Sequence, residues 1–335
     1  MQTAPKRIEE LDALRGIASL LVVIFHFSLG RYLPYHFNYV RLGNTGVELF
    51  FLISGFVIFM SINHVKKSFQ FVKNRFSRLY PTYWTAVTFT YILILFSSNH
   101  VPGFKSYLGN MTMFQYYLNV PDLDGPYWTM IVELNFYIFI VMIYRLKLLK
   151  YITPIGIAVS IFLIFVAAIV KQSTFVSILF KNIPLLPYFP LFFSGILFYK
   201  FYILKEKGPL QYAIIILMFL QIGLHGFIRN QGYTSLFEYA LALSLYFAFF
   251  FLFINNKLFF FVNKATLFFG EISFALYLIH QYLSINLLIP WLMNVGVRFI
   301  FAAFIAFITS VTIALIMTRY VDIPFRKLIR KRGYR

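Results

Sequence analysis

The chain has 335 residues, of which 60% are hydrophobic and only 12% charged, and a mean hydropathy of +0.76, outside the range of soluble globular domains. It contains no cysteine, which excludes disulfides, thiolate metal sites and a cysteine acyl-enzyme. A net charge of +19 would suit nucleic acid, but the cations sit in short loops between apolar runs, where they act as topology signals, and no nucleic-acid partner is expected.

Taken in order, apolar helices are predicted near residues 11–29, 46–62, 79–97, 129–146, 152–170, 186–203, 210–228, 236–254, 271–289 and 298–319, each about long enough to cross a bilayer. The fold class expected is therefore an all-α, polytopic transmembrane bundle of about ten helices. An even number of crossings brings both termini to one side, and Lys and Arg place that side in the cytoplasm. Lys66, Lys67, Lys73, Arg75 and Arg78 follow the second helix, and Arg319, Arg326, Lys327, Arg330, Lys331, Arg332 and Arg335 form the tail. The opposite side holds only Arg31, Arg41, Lys105, Lys171, Lys181, Arg229 and Arg298. The first apolar run lacks a small-residue cleavage site and is expected to stay as an anchor. Residues 1–335 read as a single transmembrane domain with no appended soluble domain. The longest connection, Ser98 to Tyr127, is predicted to hold a short helix lying against the outer surface or dipping into it. No internal repeat is visible, which weighs against inverted transporter halves.

Polar residues inside apolar runs are functional candidates, because a buried charge costs several kcal/mol unless it is paired. In LDALRGIASLLVVIFHFSL, Arg15 and His26 share one face about 16 Å apart, since eleven helical steps come to about 20° past three full turns. Glu48 and Glu133 start the second and fourth helices from the outside, so they and Trp128 are expected near the depth of His26. An imidazole titrates near neutrality and suits general-base work, with a carboxylate to hold its tautomer. The competing reading for each acid is that it only holds helices together. Arg75 and Arg78 lie on one helical face ahead of Pro81, and arginine pairs suit a phosphate-bearing ligand as well as the positive-inside rule. Ser273, Tyr277 and His280 fall along the ninth helix, where His280 either bonds structurally or lines a substrate channel. Ser54 precedes Gly55 and reads as a packing notch rather than a nucleophile. No metal-ligand spacing is present.

The blocks LDALRGIASLLVVIFHF, GVELFFLISGF, RFSRLYPTYW, Trp128 with Glu133, Phe136 and Tyr137, SFALYLIH and VDIPFRK are individually weak, but their order and spacing are specific. In them the chain resembles the acyltransferase family 3 membrane proteins, bacterial enzymes that O-acetylate surface glycans. The resemblance covers nearly the whole chain. It implies transfer of an acyl group, typically acetyl, from cytoplasmic acyl-coenzyme A to a hydroxyl of a surface polysaccharide, a lipid-linked glycan or a related saccharide. Within it, His26 becomes the catalytic base with Glu48 and Glu133 beside it, and Arg15, Arg75 and Arg78 serve coenzyme A binding or channel structure. Trp128, Tyr277 and His280 contact substrate, while Asp322 pairs with the basic tail. The expected setting is the cytoplasmic (inner) membrane, multi-pass, with acyl-coenzyme A as donor, a saccharide acceptor, no metal, and glycan-synthesis partners or a second copy of the chain as companions. A transporter or flippase for a lipid-linked glycan is the alternative, and would act without consuming an acyl donor.

Overall fold

The computed structural model describes residues 7–28, 35–97, 101–169, 174–206, 208–228 and 234–332. Arg31, Lys171 and Arg229, and the predicted span ends at 29 and 170, lie outside these. Among the described residues the chain is helical, and nine helices are long and apolar enough to cross a membrane.

The chain begins with α1 (Glu9–Ser28), α2 (Gly46–Asn63) and α3 (Ser68–Ser97). Then come the short α4 (Phe104–Met111), α5 (Trp128–Arg145), α6 (Ile152–Ile169) and α7 (Thr174–Asn182). α8 (Phe189–Tyr202), α9 (Leu210–Ile228) and α10 (Leu236–Ile254) follow. α11 (Lys264–Gln281) runs through a π-helical stretch, Tyr282–Leu288, into α12 (Ile289–Asn294). α13 (Phe299–Met317) passes through a second, Thr318–Asp322, into α14 (Ile323–Arg332).

The segment expected to cross at 186–203 is the exception. Its helix, α8, has 14 residues and is buried along nearly its whole length. A helix wrapped by protein rather than lipid is not held to bilayer thickness. α8 packs on α2 through facing glycines: a Cβ on Gly55 would meet the Phe192 backbone, and one on Gly195 the backbone of Leu52 and Phe56. Small residues let transmembrane backbones approach this closely. Gly55 is thus a packing notch, while Ser54 before it lines a pocket described below.

A second close contact joins α1 to α11. A Cβ on Gly16 would meet Thr266 and Gly270, and one on Gly270 the carbonyl of Asp12. Outward-facing positions carry the exposed apolar side chains, such as Phe96, Phe162, Phe165, Phe219, Phe301 and Phe304, as a lipid-facing surface requires.

α4 leads the chain back down the side of α3. Tyr91 donates to the carbonyl of Pro102, Thr88 bonds Tyr107, Trp84 donates to Met111 and Tyr80 to Thr112. The descent therefore spans roughly three turns of α3. This is the short helix expected in that connection, and its outward side carries exposed apolar residues such as Phe104 and Leu108. Asn110 ties the return by donating to Pro121 and accepting from the Leu123 amide.

Candidate functional site

One end of the bundle holds a cavity of about 620 Å³. Its walls come from the start of α1 (Arg7, Asp12, Arg15), the start of α3 (Arg75, Arg78), α11 (Glu271, Phe274) and the C-terminal helix with the turn before it (Asp322, Arg326, Lys327). The first and last described helices thus share this end, termed the inner end. α3 brings its arginines here because 30 residues extend about 45 Å, well beyond a hydrocarbon core of about 30 Å.

Charges in this cavity are unevenly paired. At the rim, Asp12 accepts from Arg7 at 2.5 Å and Asp322 from Arg326 at 2.5 Å, the latter being the expected bond between Asp322 and the basic tail. Deeper in, Arg15, Arg75 and Arg78 make no ion pair among the described residues. Arg75 is only 8% exposed. Its guanidinium lies 5.4 Å from the Phe71 ring and 5.7 Å from that of Tyr137, and Nη2 donates to the Val57 carbonyl at 3.4 Å. Both Arg75 Nε and Arg15 Nε are buried without a hydrogen-bond partner. An unpaired buried guanidinium is strongly destabilising, and an anionic ligand would relieve it.

From Arg15, Arg75 and Arg78 a narrower pocket of about 70 Å³ leads on between α2, α5 and α11. Glu133, Ser54, Thr129, Ser273 and Tyr277 supply its polar groups, and Phe50, Phe51 and Phe274 much of its apolar wall. Glu133 accepts a hydrogen bond from Tyr137, whose ring carries Arg75. It therefore stands at the arginine level, not beside His26 as its place near the outer end of a crossing suggested, because the carboxylate turns inward toward cations.

His26 and His280 meet beyond the far end of this pocket. His280 Nε2 lies 3.1 Å from His26 Nδ1, with ring centroids 4.9 Å apart. Neither ring lines the pocket. Tyr277 does, and its ring is 6.0 Å from His280 and 5.7 Å from Phe50. The side chain bonded to the His26 ring is a second imidazole, whereas a carboxylate was expected there. Glu48 is 3% exposed on α2, off the pocket wall. Trp128 joins an aromatic cluster instead of the pocket, 5.7 Å from Tyr188 and 6.4 Å from Phe51.

The structure thus gathers Arg15, Arg75, Arg78, Glu133 and Tyr277 around one passage and His26 with His280 just past it. Neither Glu48 nor Trp128 lines the passage. Thr129 and Arg7 gave no sequence signal of a site, whereas Arg326 and Lys327 fall in the VDIPFRK block and were given no role there beyond the basic tail that pairs with Asp322.

Over the outer end, Asp124 fastens the loop before α5 to the turn after His280, accepting from the amides of Gly125 at 2.8 Å and Tyr282 at 3.1 Å. Burial lifts its carboxyl to about 7, against the opposing pull of those two amides.

A family model described as an acyltransferase domain matches residues 8–319. A protein of Acidianus two-tailed virus, to which an acetyltransferase activity is provisionally ascribed by name, is 25% identical over 288 residues, 80% of this chain and 80% of its own length. An acyltransferase of Streptomyces mycarofaciens is 25% identical over 154 residues, covering 42% of this chain and 40% of its own. No solved structure matches. With nine membrane-length apolar helices and a family match over almost its full length, the chain belongs to this acyltransferase family and is a multi-pass membrane acyltransferase.

Proposed function

We propose that the protein moves an acetyl group from cytoplasmic acetyl-coenzyme A to a hydroxyl of a saccharide presented at the outer face of the cytoplasmic membrane. The inner end, with both termini, faces the cytoplasm, in keeping with its surplus of Lys and Arg. The donor's phosphates rest against Arg15, Arg75 and Arg78, with Arg7 and Lys327 at the rim, while its thin, mostly uncharged arm enters the narrow pocket toward Tyr277. A pocket of about 70 Å³ suits a small acyl group, and the name of the viral relative points the same way.

His26 then removes the proton of the acceptor hydroxyl as its oxygen attacks the thioester carbonyl carbon. The carbon–sulfur bond breaks, coenzyme A leaves as a thiolate that takes up a proton, and no covalent enzyme intermediate is required. Tyr277, between the pocket and the histidines, must turn aside for the two substrates to meet.

The observation that carries this reading is the pair of buried guanidinium nitrogens, on Arg15 and Arg75, that lack partners at the head of a passage aimed at the histidines. Purified protein given acetyl-coenzyme A should release free thiol when a saccharide acceptor is present, with mass spectrometry showing the added acetyl group. Movement of a glycan lipid across vesicles without donor consumption would overturn it in favour of a flippase.

A further inference from the structure

The two histidines lie on parallel helices in matching register. Gly16 faces Gly270, and ten residues further along each helix His26 faces His280, the same sequence offset of 254 in both cases. The glycine contact leaves no room for the helices to drift, so the imidazole separation is set by backbone packing.

The hydrogen bonds then fix where each proton resides. His280 is fully buried, and its Nδ1 faces two carbonyl oxygens, Tyr277 at 2.8 Å and Leu276 at 3.2 Å. A lone pair cannot face two acceptors, so Nδ1 carries the hydrogen and, in the neutral ring, Nε2 carries the lone pair. His26 Nδ1 lies 2.9 Å from the Val22 carbonyl and 3.1 Å from that His280 lone pair. It too must carry its hydrogen, shared between the two acceptors. The one basic nitrogen left on His26 is Nε2, which has no hydrogen-bond partner among the described residues.

We infer that His280 is the positioning residue of the acyl transfer: as a neutral acceptor it locks His26 in the Nδ1–H tautomer and presents Nε2 as the base, the role a carboxylate fills in most histidine-based sites. When His26 takes a proton at Nε2, the resulting imidazolium keeps its Nδ1–H donated to His280 and Val22. The hydrogen bonds that meet the positive charge at Nδ1 thus go to two neutral acceptors, which keeps the base weakly held and ready to return its proton. This inference rests on His26 acting as the base.

Three variants in purified protein test it. His280→Phe keeps the ring but offers no acceptor, and is expected to lower kcat about 30-fold with little change in KM for the donor, a share of the effect general-base chemistry commands. His280→Gln places an amide oxygen near the former Nε2 and is expected to recover most of that loss. If the Phe variant does not accumulate as a monodisperse protein, His280→Asn, one methylene too short to reach His26, takes its place in the comparison. Equal activity of the acceptor-bearing and acceptor-lacking variants would overturn the inference, whether both were high or both low. His26→Ala separates this from the parent reading: an inactive Ala variant beside an unimpaired Phe variant refutes the pairing alone, whereas an active Ala variant refutes the base itself.

Discussion

The two ends of the passage solve opposite electrostatic problems. At the inner end three guanidiniums crowd together, Asp12 is engaged by Arg7 and Asp322 by Arg326, and Glu133 and Glu271 are outnumbered by the remaining cations. Charge is left over, and a ligand must supply its complement. At the outer end two uncharged rings satisfy each other and the backbone, and only a single lone pair is left over. The first arrangement suits holding a polyanion and the second suits moving a proton. On the proposed reading, binding and chemistry are kept more than two helical turns apart.

The sharpest way to break this division is His26→Ala. Turnover should fall about 10³-fold, within the range a general base contributes, while apparent donor affinity, read from the concentration dependence of thiol release, stays put. Loss of donor affinity instead would mean that the outer end also binds. Arg75→Ala should do the reverse, weakening donor affinity about 10- to 100-fold, as expected for a hydrogen bond to a charged group, with turnover at saturation nearly intact. Arg75→Lys should restore little, because a point charge cannot reproduce a planar fork. Raising ionic strength should increase the donor KM a few-fold and leave the acceptor KM unchanged. Gly270→Leu should lower the thermal midpoint in detergent by several degrees through overpacking against Asp12. Were it instead to spare stability, the fixed spacing of the two ends would be in question.

The smallest effect concerns the clasp over the outer end. Because burial raises the Asp124 carboxyl to about 7, the folded protein keeps a proton that the unfolded chain gives up near its ordinary value of 3.8. The contribution of Asp124 to stability is then fully present below pH of about 4 and is lost as pH rises through about 7. Asp124→Asn removes that carboxyl and should flatten this part of the curve of thermal midpoint against pH, while transfer at neutral pH changes little.

Much of this was legible in the residues, for reasons that differ by level. Membrane-length apolar runs are written directly in composition, and the inner arginines follow from their distance to the helix starts. α8 was misjudged in length because apolar text looks the same whether lipid or protein surrounds it. A short helix in this connection is legible in its aromatic and Met-rich sequence, though its course along α3 depends on Tyr80, Trp84, Thr88 and Tyr91 being spaced to receive it. His26 and His280 were each visible alone, but they are 254 positions apart, and nothing local in either helix says that they touch. Glu133 was placed by depth along its own helix. The cations on two other helices that draw it inward cannot be read from that helix.

The parallel union of α1 and α11 carries a mechanical consequence. Two helices clamped by facing glycines travel as one plank, so their imidazoles are passengers with a fixed seat. Apart from side-chain turns such as that proposed for Tyr277, any helix motion that admits a donor or releases a product would belong to the neighbours sliding past them. The hinges to look for are therefore Pro81 in α3 and the loosened coil after Gln281, and never the clamp itself.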